Sequence, residues 1–387
     1  MKQIVQIMTV AVLLVLSSCN NQQHIITVTN PSDFERSGET VTASIAHLPC
    51  SVNQILLLDE KTALEIPSQL IDQDNDGQKD AIVFQTSLKG KETKQYIIKE
   101  GRTSSHASNV KTFARYVPER TDDFAWENDK VAFRTYGPEA QRMAEANEAG
   151  GTLSSGIDCW LKKVDYSIID KWYQGNIDEP GYYHIDHGEG LDNYHVGPSR
   201  GCGGTGVMVD AQLITSKNFT SYKVLQNGPL TTQFELDYAP YKAGDKTIKE
   251  RKVISIDLGT NLTKYVIYVE GSESLTAGLT LHDKEGRVTS DTDAVWINYH
   301  TPHKGEFLST SLVAHPKYFV GYSKIDSEIK DQSHALLHLK VIDGKVEFYS
   351  GFTWSGSNQF KNTKEWEQYL STFALKLAQP IAVGNSK

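Results

Sequence analysis

Short apolar segments separated by turn residues recur along this chain, and that pattern restricts its fold more than any other feature. Five such segments precede residue 100, at residues 25–28, 41–45, 54–58, 81–84 and 95–98. Each has the length of a strand, and the Gly, Asn, Asp and Ser residues between them favour turns. The sequence therefore predicts a small β-sandwich domain over residues 20–110.

The same pattern continues beyond residue 110. Strand-like runs occur at residues 234–238, 252–257, 263–269, 338–342 and 346–349. The first of these alternates apolar and polar side chains, which is typical of a strand with one buried face. Asp343-Gly344 separates the last two runs, and this dipeptide favours a type I′ hairpin turn.

Helical patterns are few. They occur at residues 138–149 and 363–377, where Thr363 is the expected cap of the second helix. Because the strands do not alternate with helices, the chain is predicted to be mostly β. Residues 111–387 are expected to form one large antiparallel sandwich.

The first nineteen residues are typical of an export signal. Lys2 supplies the positive start, residues 10–16 form a short apolar run, and residues 16–19 (Leu-Ser-Ser-Cys) resemble a bacterial lipoprotein box. We expect Cys19 to be lipidated and the protein to be anchored to the cell envelope, at the outer membrane on its periplasmic side or surface. The alternative is an ordinary cleaved signal with a chance cysteine.

Charge and cysteine content narrow the function classes. The formal net charge of −9 argues against a nucleic-acid partner, which requires a basic face. It does not exclude an anionic substrate, because a local arginine or lysine can bind one. Without Cys19, three cysteines remain, so at most one disulfide can form and its pairing is open.

Residues 183–206 concentrate titratable side chains and glycines, and they contain too few apolar residues for a core element. Three of the protein's twelve histidines fall there, with acids, tyrosines and an arginine. Imidazole, carboxylate and phenol are the usual proton-transfer groups, so we predict an active site; a polar loop without chemistry is the alternative. The candidate residues are Tyr183, His187, Glu189, Asp192, Tyr194, His195 and Arg200.

A second candidate region precedes this segment. Residues 126–137 begin with Trp126 and Glu127 and continue to Arg134. An indole can stack on a sugar ring, and a guanidinium can clamp a carboxylate, so these three residues are predicted to line a sugar cleft. The alternative is a buried tryptophan with an incidental surface ion pair.

Asp72, Asp74 and Asp76 precede Gly77 with the spacing of a calcium-binding loop. The glutamate that such a loop needs six residues after the glycine is absent, and Asp80 is the expected substitute in a shorter loop. A structural Ca²⁺ is therefore one interpretation, and an acidic turn between two strands is the other. No catalytic cofactor is expected, since HExxH, CxxC and Walker motifs are absent.

Three strings carry a resemblance to a known family: residues 126–137, residues 187–197 and the Gly351…Trp354-Ser355 string near the end. They are similar to an uncharacterised-domain family of exported proteins from polysaccharide-utilisation loci of Bacteroidota. Relatives in ulvan-degrading loci are regarded as oligosaccharide dehydratases. The resemblance covers essentially the whole mature chain and implies a mutarotase-like supersandwich as the large domain.

The resemblance also implies a reaction. A uronate carboxylate acidifies the proton on C5, so a base can remove it while the group on C4 departs and an unsaturated uronyl end remains. A departing hydroxyl makes the enzyme a dehydratase, and a departing sugar makes it a polysaccharide lyase. The expected roles are His187 or His195 as base, Tyr194 or Tyr183 as acid, and Arg200 or Arg134 on the carboxylate of an acidic oligosaccharide.

Two other functions remain open from the sequence. A glycoside hydrolase would use paired carboxylates, with Glu189 and Asp192 or Glu127 as the pair. A non-catalytic, glycan-binding lipoprotein would present a cleft of tryptophans without titratable groups, and the histidines of residues 183–206 count against that reading.

Overall fold

The computed structural model describes residues 24–46, 55–101 and 112–386. The predicted signal with Cys19, and the predicted domain boundary at residue 110, lie outside these ranges. Within them the chain forms 26 strands, numbered β1 to β26 in chain order, and three α-helices. The predicted fold class, mostly β with antiparallel sandwiches and few helices, is confirmed.

Two sheets form the small sandwich. In spatial order they are β26 (Ala382–Ser386), β1 (His24–Thr29), β6 (Thr93–Glu100) and β3 (Ile55–Asp59), facing β2 (Arg36–Ser44), β5 (Ala81–Leu88) and β4 (Ser68–Ile71). Alternate side chains such as Ile26, Val41 and Phe84 fill the space between them. The last strand of the chain pairs with the first, so the sandwich is built from both ends of the described sequence.

Two larger sheets form the supersandwich. The five-stranded sheet has the spatial order β13 (Gln212–Ile214), β12 (Cys202–Val209), β19 (Ser274–Thr280), β24 (His334–Lys340) and β23 (Phe319–Ile325). The nine-stranded sheet contains β14 (Phe219–Gln226), β15 (Thr231–Tyr238), β17 (Lys246–Asp257), β18 (Leu262–Glu270), β25 (Lys345–Trp354), β22 (Glu306–Ala314), β21 (Trp296–His303) and β20 (Arg287–Asp291), with β16 (Tyr241–Ala243) paired to β17. Every second residue of β15 is buried, as its alternating sequence predicts.

A third unit carries most of the functional candidates. It is a five-stranded sheet in the order β11 (Gly190–Leu191), β10 (Asp158–Lys162), β9 (Ala132–Thr135), β8 (Asp123–Glu127) and β7 (Phe113–Val117). One face packs on the supersandwich through Trp126, Phe133 and Phe234. The other face is covered by helix α2 (Ile169–Asp178). This sheet therefore joins the core to the loops of residues 183–206.

The structure differs from the expected elements in four places. Helix α1 (Pro138–Glu145) is shorter than predicted, and α3 (Thr363–Ala378) is capped by Asn362, whose Oδ1 accepts from the Glu365 amide at 3.1 Å. Helix α2 was not predicted, since its first amides are capped by a residue distant in sequence. The turn at Asp343-Gly344 has the expected positive φ values, but β24 and β25 on either side enter different sheets.

Candidate active site

A buried ion cluster lies where β9, β10 and the loop after β11 meet. Arg134 is opposite Asp158 in the register of the two strands and is 5% exposed. Its Nε donates to Asp158 Oδ2 at 2.7 Å, and its Nη2 donates to Asp192 Oδ2 at 2.7 Å. Asp123 Oδ2 lies 3.5 Å from Nη1. Aromatic rings enclose the guanidinium at 5.3–5.5 Å from Cζ, namely Tyr136, Trp160 and Tyr183.

Burial and the buried ion pair act on the charges of this cluster in opposite directions. Burial raises the pKa of Asp192 well above the usual carboxyl range, although the Arg134 guanidinium opposes that shift. The Oδ1 atoms of Asp158 and Asp192 find no hydrogen-bond partner among the described residues. The Nε, Nη1 and Nη2 donors of Arg134 thus all face protein carboxylates. Its predicted role as a clamp for a substrate carboxylate is therefore corrected to a structural one.

A cleft of about 670 Å³ opens beside this cluster. Its walls come from the loop of residues 192–198, from residues 151–153 and from three further elements, which contribute Arg134, Tyr136, His184 and Lys304. A concave site of this size with converging polar groups is typical of a small-molecule site. Of the predicted site residues, Arg134, Asp192, Tyr194 and His195 line it.

His195 forms a carboxylate–imidazole pair at the cleft. Its Nε2 lies 3.1 Å from Oδ2 of Asp331, which is buried, while half of the His195 side chain (52%) is exposed. A Cβ at Gly197, where φ is +51°, would lie 2.7 Å from that Asp331 oxygen and 2.8 Å from His195 Nε2. Only glycine therefore leaves room for the pair. A histidine oriented by a carboxylate is the usual form of a general base.

A second half-exposed imidazole, His184, lines the same cleft. Its Nδ1 lies 2.6 Å from the backbone carbonyl oxygen of Asp192. Since a carbonyl only accepts hydrogen bonds, Nδ1 carries the proton and Nε2 remains available.

Two other histidines hydrogen-bond to the cleft loop, residues 192–198. His282 Nε2 donates to the backbone oxygen of His195 at 2.7 Å, and its ring meets that of Tyr194 edge to face. His303 Nε2 donates to Asn193 Oδ1 at 2.7 Å. Burial lowers the pKa of both imidazoles, that of His303 to about 4. Both are therefore neutral donors at neutral pH and act as supports.

Lys304 places an exposed positive charge at the cleft. It occupies the two-residue turn between β21 and β22, where its φ is 49° and that of Gly305 is 90°, as in a type I′ turn. Its side chain is exposed, and within the described ranges it forms no ion pair. A cation in this position can bind an anionic group of a ligand.

Tyr194 lines the cleft with its ring only. The residue is 6% exposed, and its hydroxyl is buried with no hydrogen-bond partner in the described part of the chain. Burial raises the pKa of this phenol well above its usual value. The hydroxyl points away from bulk solvent, which does not suit the predicted role as acid.

Two other residues predicted from the central segment, His187 and Tyr183, lie away from the cleft. His187 stacks on Tyr182 at 4.0 Å between ring centroids and faces solvent. Tyr183 is buried against Trp160, and its hydroxyl accepts from Arg120 Nε at 3.3 Å. Because these rings are engaged elsewhere, neither His187 as base nor Tyr183 as acid fits the geometry.

Arg200 is buried in the supersandwich. Its Nη1 donates to Ser155 Oγ at 2.9 Å, and burial lowers the pKa of the guanidinium to about 10, opposed by the nearby Glu250. It does not line the cleft, so its predicted contact with a substrate carboxylate is corrected.

Trp126 and Glu127 are buried and contact only other parts of the protein. Trp126 is completely buried, and its Nε1 donates to Thr263 Oγ1 at 3.1 Å, so it has no face to offer a sugar. Glu127 is sealed against Lys162 at 2.7 Å and accepts from the amides of Ile168 and Ile169 at 2.9 and 3.1 Å, which caps α2. Burial of these side chains corrects their predicted place in the cleft.

Glu189 is held by residues of α2 and of the turn before it. Its carboxylate accepts from Lys171 Nζ at 2.7 Å, from Trp172 Nε1 at 3.2 Å and from the hydroxyl of Tyr166. It does not line the cleft, and its lone pairs are committed to these donors.

The predicted calcium loop folds into a compact turn. One carboxylate oxygen from each of Asp72, Asp74 and Asp76 lies within 4.8 Å of the others. Asp80 is not part of this group, since its Oδ1 accepts from the Gln73 amide at 2.7 Å. The three carboxylates also accept backbone amides of the same turn. The calcium interpretation stays a prediction.

The sequence did not single out Asp331, Lys304, Tyr136 or His184 as site residues. Asp331 lies 136 residues after its partner His195. No local spacing connects such residues, and only the fold brings them together. The positive φ of Asp331, 65°, is visible in the structure alone.

Sequence comparison matches residues 28–383 to DUF4861, a domain of unknown function. The chain belongs to this family. Uncharacterized protein P7 of Formosa agariphila, a Bacteroidota species, is 43% identical over 392 residues, which cover 99% of each chain. Membership of an uncharacterised-domain family is thereby confirmed, whereas the predicted setting in polysaccharide-utilisation loci stays a prediction.

Among solved structures, two from Enterococcus faecalis are similar to this DUF4861 protein. They are a protein in glycosyl hydrolase family 38 and an alpha-mannosidase, at 8% and 9% identity, each with a TM-score of 0.46. Both matches include 95% of this chain, which spans about half of each neighbour, 48% and 46%. No helix of the described residues is long and apolar enough to cross a membrane.

Replacing Arg134 with methionine should destabilise the fold severely. The change leaves Asp158 and Asp192 buried without their cation, and breaking a buried pair costs about 3–5 kcal/mol. Urea denaturation measures this loss. The control is Arg142→Met, which removes an exposed arginine paired with Glu139 and should leave the midpoint nearly unchanged. Equal midpoints for both variants would contradict the account.

The stability of the protein should fall as the pH drops from about 6.5 to about 4, in part through His303. Burial holds the pKa of His303 at about 4 in the fold, against 6.5 for a free imidazole, so the unfolded chain binds the extra proton in this window. His303→Gln keeps a donor for Asn193 and should flatten the dependence. Denaturation midpoints of the wild type and of His303→Gln at pH 7 and pH 5 test this. An equal fall in the midpoint of both proteins would refute it.

Proposed function

We propose that this protein is a carbon–oxygen lyase that eliminates water, or a sugar, from a uronate of an acidic oligosaccharide such as those derived from ulvan. The observation that supports the proposal best is the pairing of His195 with buried Asp331 in a cleft that also presents the exposed cation Lys304. Together they supply a base and an anion-binding group, which are the two requirements for removing a proton beside a carboxylate.

His195 is the base in this proposal. Its Nε2 is held by Asp331, so its Nδ1 is the nitrogen left to accept the C5 proton of the uronate. The carboxylate of Asp331 stabilises the imidazolium that forms. Gly197 permits the close contact of the two side chains, and His282 fixes the backbone of His195.

Lys304 takes the role on the substrate carboxylate that the family resemblance implied for Arg200 or Arg134. Both arginines are buried and are hydrogen-bonded within the protein, whereas Lys304 is exposed at the cleft. An ammonium beside the uronate carboxylate stabilises the negative charge that develops when C5 loses its proton. This is the step that makes the C5 proton removable near neutral pH.

The alternatives receive less support from the cleft. A glycoside hydrolase that pairs Glu189 with Asp192 or Glu127 needs both carboxylates beside the sugar, but Glu189 and Glu127 are bound to Lys171 and Lys162. A purely glycan-binding protein needs exposed aromatic platforms, and Trp126 is buried.

Attachment to the cell envelope through a lipid on Cys19 remains part of the proposal, as does a structural Ca²⁺ at Asp72, Asp74 and Asp76. Neither is needed for the elimination. The lipid would restrict the enzyme to substrates that reach the envelope.

Incubation with saturated uronate-ended oligosaccharides, followed by ultraviolet absorbance and mass spectrometry, tests the function. The wild-type protein should produce an enoate with loss of one water, or shorter enoate-ended fragments. His195→Ala and Asp331→Asn should lower the rate, the former by roughly 10²- to 10⁴-fold. Lys304→Met should lower kcat as well as raise the KM, because the ammonium binds the substrate carboxylate and also stabilises the charge that develops during the reaction.

The matched control is His187→Ala, since His187 is an exposed histidine eight residues from His195 that lies off the cleft. It should retain the wild-type rate. Fragments without enoate absorbance would replace the lyase with a hydrolase. Full activity of His195→Ala would reject His195 as the base.

A further inference from the structure

The base alone does not complete the elimination, because the departing oxygen needs a proton. The groups that the sequence offered for this step are unsuited to it. The hydroxyl of Tyr194 is buried, and Tyr183, whose hydroxyl accepts a hydrogen bond from Arg120, does not line the cleft. The donor must therefore be another group with access to the cleft.

His184 has that access. Its side chain is 54% exposed and lines the cleft together with His195, although the two residues belong to different segments of the wall. The hydrogen bond from Nδ1 to the Asp192 carbonyl oxygen, at 2.6 Å, fixes the ring and leaves Nε2 free. The cleft thus contains two oriented imidazoles, each with one nitrogen uncommitted.

The ring of His184 is also tied to the buried ion cluster. Asp192 Oδ2 accepts a hydrogen bond from Arg134, and the Asp192 amide donates to the Tyr183 carbonyl oxygen at 2.6 Å. Asp192, which orients His184, is therefore fixed in position. The same Oδ2 lies 3.7 Å from His184 Nδ1. A positive charge on the imidazole therefore has a carboxyl group beside it, in addition to the carbonyl dipole.

We propose that His184 is the acid that protonates the oxygen leaving C4, an assignment that rests on the proposed elimination. His195 takes the C5 proton, and the electrons of that C–H bond form the C4–C5 double bond. His184 enters this step as an imidazolium with a proton on each nitrogen. The C4–O bond breaks with its electron pair on oxygen, and the Nε2 proton of His184 converts that oxygen to water or to a sugar hydroxyl, which leaves His184 neutral with its proton on Nδ1. Exchange with solvent then restores both imidazoles.

The test compares His184→Ala with His187→Ala on two substrates. The variants remove exposed histidines three positions apart in the same segment, and only His184 lines the cleft. The first substrate has a hydroxyl on C4 of its terminal uronate. The second has fluorine there, and fluoride departs without needing a full proton. Thermal unfolding checks that both variants are folded.

On the hydroxyl substrate, His184→Ala should react roughly 10²- to 10⁴-fold more slowly than the wild type. On the fluoro substrate, the factor by which the rate falls should be smaller by at least about tenfold. His187→Ala should match the wild type on both. His195→Ala should lose activity on both, because the base is required in each case. Added imidazole should restore part of the His184→Ala rate on the hydroxyl substrate.

Two results would overturn the assignment separately from the function. If His184→Ala equals His187→Ala while the wild type forms enoate, the acid is another group and the lyase stands. An equal loss on both substrates would make His184 a binding residue. If the wild type forms no enoate from either substrate, the elimination itself is rejected, and the role of His184 with it.

Discussion

The site depends on one interaction, the buried guanidinium of Arg134 shared by Asp158 and Asp192. It joins the strand pair β9–β10 to the loop that carries Asp192, Tyr194 and His195. Burying such a group is costly unless every charge has a partner, so the cluster tolerates little rearrangement. It therefore fixes the loop on one side of the cleft, while the aromatic rings around it exclude water.

Burial also divides the histidines of this region by role. His282 and His303 are largely enclosed, stay neutral and donate hydrogen bonds to the cleft loop. His184 and His195 are half exposed and face the cavity. Imidazoles that support the loop are thus distinct from those that can exchange protons with a ligand. The β21–β22 hairpin supports the loop through His303 and places the cation Lys304 at the cleft.

The sequence predicted the strand-rich architecture because alternation and turn residues are local signals. Three residues of the polar segment that it singled out, Asp192, Tyr194 and His195, line the cleft, since polar side chains and glycines are typical of an exposed loop. It was wrong where tertiary burial decides the role. Glu127 looked available, yet it caps α2, a helix that lacks a local cap and was missed for the same reason. Asp331 is far from His195 in sequence, and no spacing rule relates them. The turn geometry at Asp343 was predicted correctly from the dipeptide. The sheet that each flanking strand joins depends on distant residues, so the local sequence did not predict it.

The most direct test of the account is a crystal structure of the His195→Ala variant with a saturated uronate-ended oligosaccharide bound. The account predicts the terminal uronate in the cleft of residues 192–198, with its carboxylate at hydrogen-bond distance from Lys304 Nζ and C5 facing position 195. A sugar seated elsewhere, for example in the groove of about 490 Å³ beside Arg36 and Tyr369, with the cleft empty, would contradict it.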